Sequence, residues 1–335
     1  MSESNILGWG LVGASNVARN RLVNAINSQP DSRIVAVMSR DLDRAQAFAR
    51  ECNISAAYDS LDAMLADPNV HCVYISTTND LHYAQTLAAA RAGKHVLCEK
   101  PLALELAQAR EMVDACQRAG VVLGTNHHMR NSVIHRKARQ MILDGAIGKP
   151  LSARLLRAMY LPANLHTWRI SAAAGGGAIL DMTVHDADIA RFVLNSEVES
   201  VVAIKTQQGL GVGDIEDTVM GVFAFCNGVL CQFHDSFVVK HADMHFEIHG
   251  TDGSLYAEKA MSGQGGGKLF LRRGDARTEI DCGAYEELHT RAVKLFNAAV
   301  RGHGQPAVSG EDGVRSLQIA LAVRDAANTG RRVYL

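Results

Sequence analysis

The feature that most constrains this chain is an alternation confined to its first 125 residues. Short apolar runs fall at 8–13, 33–38, 71–76, 95–98 and 121–124. Helical patterns lie between them. Val17, Ala18, Leu22, Val23 and Ile26 make an apolar face over 16–28, and a second helix opens near Leu42. Two more cover 80–92 and 104–118 and stop at Gly93 and Gly120. Strands that alternate with helices of about a dozen residues build a parallel, doubly wound sheet. Such a sheet binds its ligand outside the carboxyl ends of its strands, so those ends are where the chemistry is to be read.

The first run leads into Gly13-Ala14-Ser15-Asn16-Val17-Ala18. This is a degenerate dinucleotide turn, with Gly13, Ser15 and Ala18 where the strict pattern has three glycines. Gly13 permits the tight turn, a small serine still lets backbone near phosphate, and alanine lets helix and strand pack closely. A pyrophosphate would sit on the N–H groups at the helix N-terminus. The second run ends in Ser39 and Arg40, with Arg44 one turn further. A hydroxyl and two guanidinium groups suit a 2′-phosphate, which favours NADP(H). Asp41 is the counter-signal. Were the strand two residues longer, an acid would stand at its end and accept from the 2′-hydroxyl of NAD. Arg40 and Arg44 also fit an ordinary exposed helix start.

The remaining ends carry Ser76-Thr77-Thr78-Asn79, Glu99-Lys100-Pro101 and Asn126-His127-His128, which should line one crevice. The proline holds Lys100 extended. That leaves two readings of Lys100, a cation fixed over the cofactor or a surface lysine in a turn.

Composition bounds the rest. A length of 335 residues suits about two domains. A formal charge of −1 gives no basic excess for nucleic acid, and no 18-residue apolar run marks a membrane span. The opening Met1-Ser-Glu-Ser-Asn5 has no basic, apolar leader. Seven cysteines without a CxxC pair fit reduced thiols in a cytoplasmic protein. A first domain over 1–125 is therefore expected, then a second over 126–335 with a different period. A helix near 132–143 precedes strand-like runs at 152–161, 198–207, 217–226, 229–237, 244–249, 253–258, 268–273 and 277–281. Turns such as Asn227-Gly228 and Asp252-Gly253 join several as hairpins, so this α+β domain should hold a large, mostly antiparallel sheet. Ser309-Gly-Glu-Asp312 reads as the start of a helix over 310–328, free to pack back on the first domain.

Within the second domain, Gly175-Gly-Gly177 precedes Asp181, His185 and Asp188. The glycines would let backbone approach a ligand. As i and i+4 on a helix, Asp181 and His185 share a face, and a histidine beside a carboxylate is a candidate proton donor near neutral pH. A buried, hydrogen-bonded structural histidine is the competing reading. A metal on Asp181, His185 and Asp188 lacks further ligands at clear spacing, so no metal is expected. Asn126, His127, His128, Trp168, Arg169 and Asp181 would make a polar mouth for a small polyhydroxylated ligand. Trp168 is either an apolar wall there or a core residue at a domain interface.

Gly13-x-Ser-x-x-Ala18, Ser76-Thr-Thr-Asn79 with His82, and Glu99-Lys100-Pro101 together resemble the Gfo/Idh/MocA family of oxidoreductases. The resemblance implies a Rossmann domain followed by a sheet domain. It implies that Lys100 contacts both nicotinamide and substrate, with Gly13–Ala18, Ser39, Arg40, Arg44, Ser76–Asn79, His82, Glu99, Asn126, Trp168 and Arg169 toward the cofactor. It puts Asp181 and His185, with His128 and Trp168, beside a sugar-like substrate. A homo-oligomer through the open sheet face, with a monomer as the alternative, and a cis Lys100-Pro101 bond are further implications. The expected activity is NADPH-dependent reduction of a sugar ketone. An NAD(P)-dependent inositol, polyol or sugar dehydrogenase is the alternative in the same class. A non-catalytic NADP-binding regulator is the alternative in another, and the intact Lys100, Asp181 and His185 argue against it.

Overall fold

The five apolar runs of the first third become strands of one six-stranded sheet, β1 (Leu7–Val12), β2 (Ser32–Met38), β4 (Cys72–Ile75), β5 (His95–Cys98) and β6 (Leu123–Thr125), and a short sixth strand that the runs do not mark, β3 (Ala56–Tyr58), completes it. The structure is a computed structural model that describes residues 6–172 and 175–335. Met1–Asn5, which bear on the reading of the N-terminus, and Ala173 and Ala174 before the glycine run lie outside the described residues. The sheet order is β3-β2-β1-β4-β5-β6 and every pairing is parallel. The crossovers carry a helical run over 16–27 that ends in α1 (Val23–Asn27), then α2 (Leu42–Cys52), α3 (Leu61–Leu65), α4 (His82–Arg91) and α5 (Leu106–Arg118). The chain builds outward from β1 to β3, then returns to β4 on the other side of β1. The carboxyl ends of β1 and β4 therefore form the switch point, where a doubly wound sheet opens its crevice.

The chain divides into two compact units, residues up to 127 with 289–314, and residues 128–288 with 315–335. The sequence reading divides it once, at 125/126. The returning segment belongs with the first unit because the helix Leu288–Val300 buries Val293 and Phe296 among Trp9, Leu11, Tyr74 and Leu97. The Phe296 ring lies 5.2 Å from that of Trp9.

The second unit has α6 (Val133–Leu143), β7 (Pro150–Ala158), α7 (Val184–Leu194), β8 (Val198–Thr206), β9 (Thr218–Phe225), β10 (Leu230–Ser236), β11 (His245–Gly250), β12 (Ser254–Glu258), β13 (Lys268–Arg273), β14 (Ala276–Ile280) and β15 (Val333–Tyr334). They form a nine-stranded sheet ordered β14-β13-β12-β11-β7-β10-β9-β8-β15. It is antiparallel except at β7–β10. The alternation along each strand buries Leu155, Phe223, Phe233 and Ile248 inward and leaves Val202, Ile204, Met220 and Leu230 outward and exposed. The helix Gly310–Thr329 starts at the expected place, with Ser309 Oγ accepting from Asp312 N at 3.1 Å. No helix among the described residues is long and apolar enough to cross a membrane. All seven cysteines are free thiols.

Candidate active site

The switch point gathers the nucleotide-side candidates. Gly13 takes φ +104°, which an L side chain rarely adopts. A Cβ there would stand 3.2 Å from Thr77 Cγ2 and 3.3 Å from the Ser76 carbonyl oxygen. The turn is thus closed against the loop after β4. Ser15 and Ser76 share a hydroxyl–hydroxyl bond of 2.8 Å, and Ser15 Oγ also caps the helix by accepting from Ala18 N at 3.1 Å. Serine at the second fingerprint position therefore ties the turn to the neighbouring loop, a job glycine could not do. Ala14 is buried, Val17 half-buried, and Asn16 exposed with its Oδ1 bound to Arg19.

The end of β2 resolves the Asp41 question. The strand stops at Met38, and Asp41 serves as the N-cap of α2, its carboxylate accepting from Arg44 N at 3.1 Å. Ser39 is half-buried at the strand end and Arg40 is exposed. The Arg44 guanidinium reaches back to donate to the Ala14 carbonyl at 2.8 Å, which brings a cation to the glycine turn.

The loops after β4 and β5 are locked together by His82. It is fully buried on the first turn of α4; its Nδ1 donates to the Pro101 carbonyl at 2.8 Å, and its Nε2 lies 3.3 Å from the Thr77 carbonyl. Burial pushes its pKa down, so the ring stays neutral near pH 7. A fully buried ring presents no face to a cofactor; its part is to fix the two loops that carry Thr77 and Lys100. Glu99 is similarly occupied. Its Oε1 accepts from the Tyr74 hydroxyl and, at 2.6 Å, from Asn126 Nδ2. Glu99 therefore holds the strand ends rather than acting on a ligand. Lys100 follows, half-buried, and its bond to Pro101 is cis. Asn126 Oδ1 is buried without a donor. Asn79 is buried, whereas Thr77 and Thr78 are partly open.

These residues fit a dinucleotide. They offer a tight glycine turn at a capped helix start, a hydroxyl and a guanidinium at the second strand end, and an acceptor on Asn126 for a carboxamide N–H.

The second unit gathers the substrate-side candidates. Asp181 lies in a π-helical turn, Ile179–Thr183, and His185 on the first turn of α7. The i/i+4 pattern implied an α-helix through both, and the wider π-turn replaces it. Such turns are rare and recur at functional sites. Asp181 Oδ2 is 3.3 Å from Arg169 Nε, and the Arg169 guanidinium lies over the half-buried Trp168 ring at 4.5 Å. His185 is buried, and the His128 ring meets it edge-on at 5.4 Å. His127 is buried in the first unit.

Asp188 is committed elsewhere, in a two-point bond to Arg130 at 2.7 and 2.8 Å. Among the described residues no three His, Cys, Asp or Glu side chains group as metal ligands. The glycine run also differs from expectation. A Cβ on Gly176 would fall 2.4 Å from the Trp168 carbonyl oxygen, and one on Gly177 2.4 Å from Glu216 Oε1. Gly176 and Gly177 thus admit the protein's own groups. Glu216 was not foreseen; it accepts from Ile179 N at 3.0 Å and so anchors the π-turn.

A parallel sheet with a dinucleotide turn, joined to a mixed sheet with a His–carboxylate cluster, defines a two-unit nucleotide-dependent oxidoreductase. The pattern of the oxidoreductase family with an NAD-binding Rossmann fold matches residues 7–127, and that of the GFO/IDH/MocA C-terminal domain matches 135–256. The chain belongs to the Gfo/Idh/MocA family. It is 48% identical over 324 residues to the 1,5-anhydro-D-fructose reductase of Ensifer adhaerens, covering 96% of this chain and 97% of that protein. It is 28% identical to the myo-inositol 2-dehydrogenase of Thermotoga maritima over 98% of this chain and 97% of that one. The solved aldose-aldose oxidoreductase of Caulobacter crescentus, complexed with glycerol, shares the fold with a TM-score of 0.91 at 24% identity, covering 98% of this chain and all of that one.

Proposed function

We propose that this oxidoreductase uses NADPH to reduce the ketone of a small sugar-like substrate, 1,5-anhydro-D-fructose, to 1,5-anhydro-D-mannitol. One observation carries the reading: the second strand end offers Ser39 and Arg44 while Asp41 is spent on a helix cap. A whole-length relative named for this reduction supplies the substrate. The bound cofactor would supply a hydride. Lys100, as an ammonium, stabilises the alkoxide that develops on the carbonyl oxygen. His185 supplies the proton, with Asp181 and Arg169 setting the charge around it. Trp168 and His128 bound the sugar.

The test is oxidation of NADPH by the pure protein against 1,5-anhydrofructose, ketoses and 2-ketoaldoses. Turnover of 1,5-anhydrofructose is expected, and Lys100→Ala should lower kcat on the order of a hundredfold or more while NADPH binding is kept. Tight NADPH binding without turnover of any carbonyl would instead favour a regulator. Inositol or polyol oxidation is the second reading, favoured by the whole-length Thermotoga relative. It requires faster reduction of NADP+ by myo-inositol than oxidation of NADPH by any ketone.

A further inference from the structure

Beneath the turn that carries Asp181, two carboxyl groups meet in the interior. Asp186 lies on α7 and Asp235 on β10, and both are fully buried. No N–H or hydroxyl donor reaches either oxygen of Asp186, nor Oδ1 of Asp235. The two acids are close enough to act on one another's charge, and the three buried oxygens without a donor are accounted for if one carboxyl keeps its proton and turns it toward the other. The remaining Asp235 oxygen, Oδ2, accepts from the Thr183 hydroxyl at 2.6 Å. Arg157 is the register partner of Asp235 across the parallel β7–β10 pair, so both point into the same layer. Its Nη1 lies 3.3 Å from the Met182 carbonyl, a hydrogen bond, and 4.0 Å from Asp186 Oδ1. Three residues of the helical segment, Met182, Thr183 and Asp186, are thereby fastened to two neighbouring strands. They bracket His185 and follow Asp181 directly.

We propose that Asp186 and Asp235 share a single proton, and that this shared proton, with Thr183 and Arg157, positions the π-turn that presents Asp181 and the start of α7 that presents His185. The charges balance in that state, since one carboxylate faces one guanidinium and the second acid is neutral. Two ionised acids on one arginine would leave an unpaired buried charge, which is strongly destabilising. Asp186 is the acid of the pair and Asp235 the acceptor. Burial first, then the neighbouring Asp235, holds the Asp186 carboxyl well above its ordinary range.

Two of the other titratable groups in reach are silent near neutrality. Burial pushes the Cys231 thiol well up, so it stays protonated, and pushes His135 on α6 down to about 4, so it stays neutral. Asp188, on the same helix, is ion-paired with Arg130. His185, next to Asp186 on α7, is the remaining neighbour. A carboxyl whose pKa is raised by folding binds a proton the unfolded chain has released. Its stabilisation is complete below the ordinary carboxylate range and is lost as pH rises through the folded-state pKa.

Two of the tests need no turnover. The infrared spectrum of the wild-type protein at neutral pH should show a protonated, buried carboxyl band that both Asp186→Asn and Asp235→Asn remove. Persistence of the band in both variants would overturn the shared proton. The unfolding constant of the wild type, divided by that of Asp186→Asn, should rise about tenfold per pH unit above about pH 5 until the pair ionises. A ratio that stays flat with pH would overturn it as well.

The positioning half rests on the proposed reductase activity. In Asp186→Asn the carboxamide can donate to Asp235 at every pH. That variant should therefore keep kcat within about twofold at pH 7 and remove an alkaline loss of kcat seen in the wild type, whereas Asp186→Ala should lower kcat on the order of tenfold or more. Wild-type kcat in a folded Asp186→Ala, or an alkaline limb unchanged in Asp186→Asn, would overturn it. Should the wild type reduce no ketone, the infrared and unfolding results still decide the proton.

Discussion

Ser39 and Arg44 are where cofactor choice can be tested one side chain at a time. Arg44 is already oriented by its bond to the Ala14 carbonyl, so its charge is held at the glycine turn without reorganisation when a phosphate arrives. Ser39→Asp places an anion where the 2′-phosphate is proposed to lie. Like-charge juxtaposition costs several kcal/mol when desolvated and less at a half-open site. A loss of roughly 1.4 to 3 kcal/mol, about tenfold to a hundredfold in kcat/KM for NADPH, is the expected result, with NADH little affected. Initial rates with both cofactors measure it, and an unmoved NADPH-to-NADH ratio would place the phosphate elsewhere. His82→Leu is the second single-residue case. It removes the donor to Pro101 and leaves that buried residue's carbonyl unpaired, so a loss of about 1 to 3 kcal/mol in denaturant unfolding is expected. Turnover should fall with it, because the Lys100 loop loses its tie.

The element that matters most is the π-turn Ile179–Thr183, and Glu216 is its outside support. Burial raises the Glu216 pKa, and the Ile179 N–H works against that rise. Glu216→Ala should destabilise the protein by about 1 to 3 kcal/mol by orphaning Ile179 N, whereas Glu216→Gln keeps an acceptor and should unfold near the wild type. Chemical denaturation of both variants checks the pair. Equal losses in the two would mean that charge, not the acceptor, is what Ile179 needs.

Much of this architecture was legible in the residues. The strands of both sheets fall close to their apolar runs, because burial on both faces of a parallel sheet and one face of an antiparallel sheet writes distinct periods. The strand ends carrying Gly13, Ser39, Ser76 and Lys100 followed from that. The π-turn did not, since Asp181 and His185 are four apart in either helix. Nor did its supports, which lie far along the chain with no spacing to link them: Glu216 is 37 positions from Ile179, Asp235 52 from Thr183 and Arg157 25 from Met182. The helix Leu288–Val300 did carry a signal in Ala292, Val293, Phe296 and Val300 at helical spacing. Which sheet it covers depends on tertiary packing that local sequence does not record. β3 and β15 are three and two residues long, too short to show a period.

The whole sheet of the second unit bears on association between copies of the chain. Its outward face places Ile204 opposite Met220 and Val202 opposite Val222, with Leu230 further along β10. Ile204 is 78% exposed, an unusual degree for so apolar a residue in mid-strand. Nine strands about 4.8 Å apart and about 20 Å long present on the order of 850 Å². That matches the roughly 800 Å² each partner gives to a standard interface. The β11–β14 end is laced with charge, where Arg154 pairs Glu247 and Lys268 pairs Glu279, so the apolar share is concentrated over β8–β10. A face of this kind on one chain can be covered by the same face of a second about a two-fold axis. Sedimentation equilibrium at micromolar concentration should therefore report a dimer or larger assembly. Ile204→Asp should weaken it by about 2 kcal/mol or more, because a carboxylate would be desolvated at the centre of the contact without a partner. Circular dichroism should be unchanged, as the substituted side chain points away from the core. A wild-type protein that sediments as a monomer would assign these exposed residues to some other surface role.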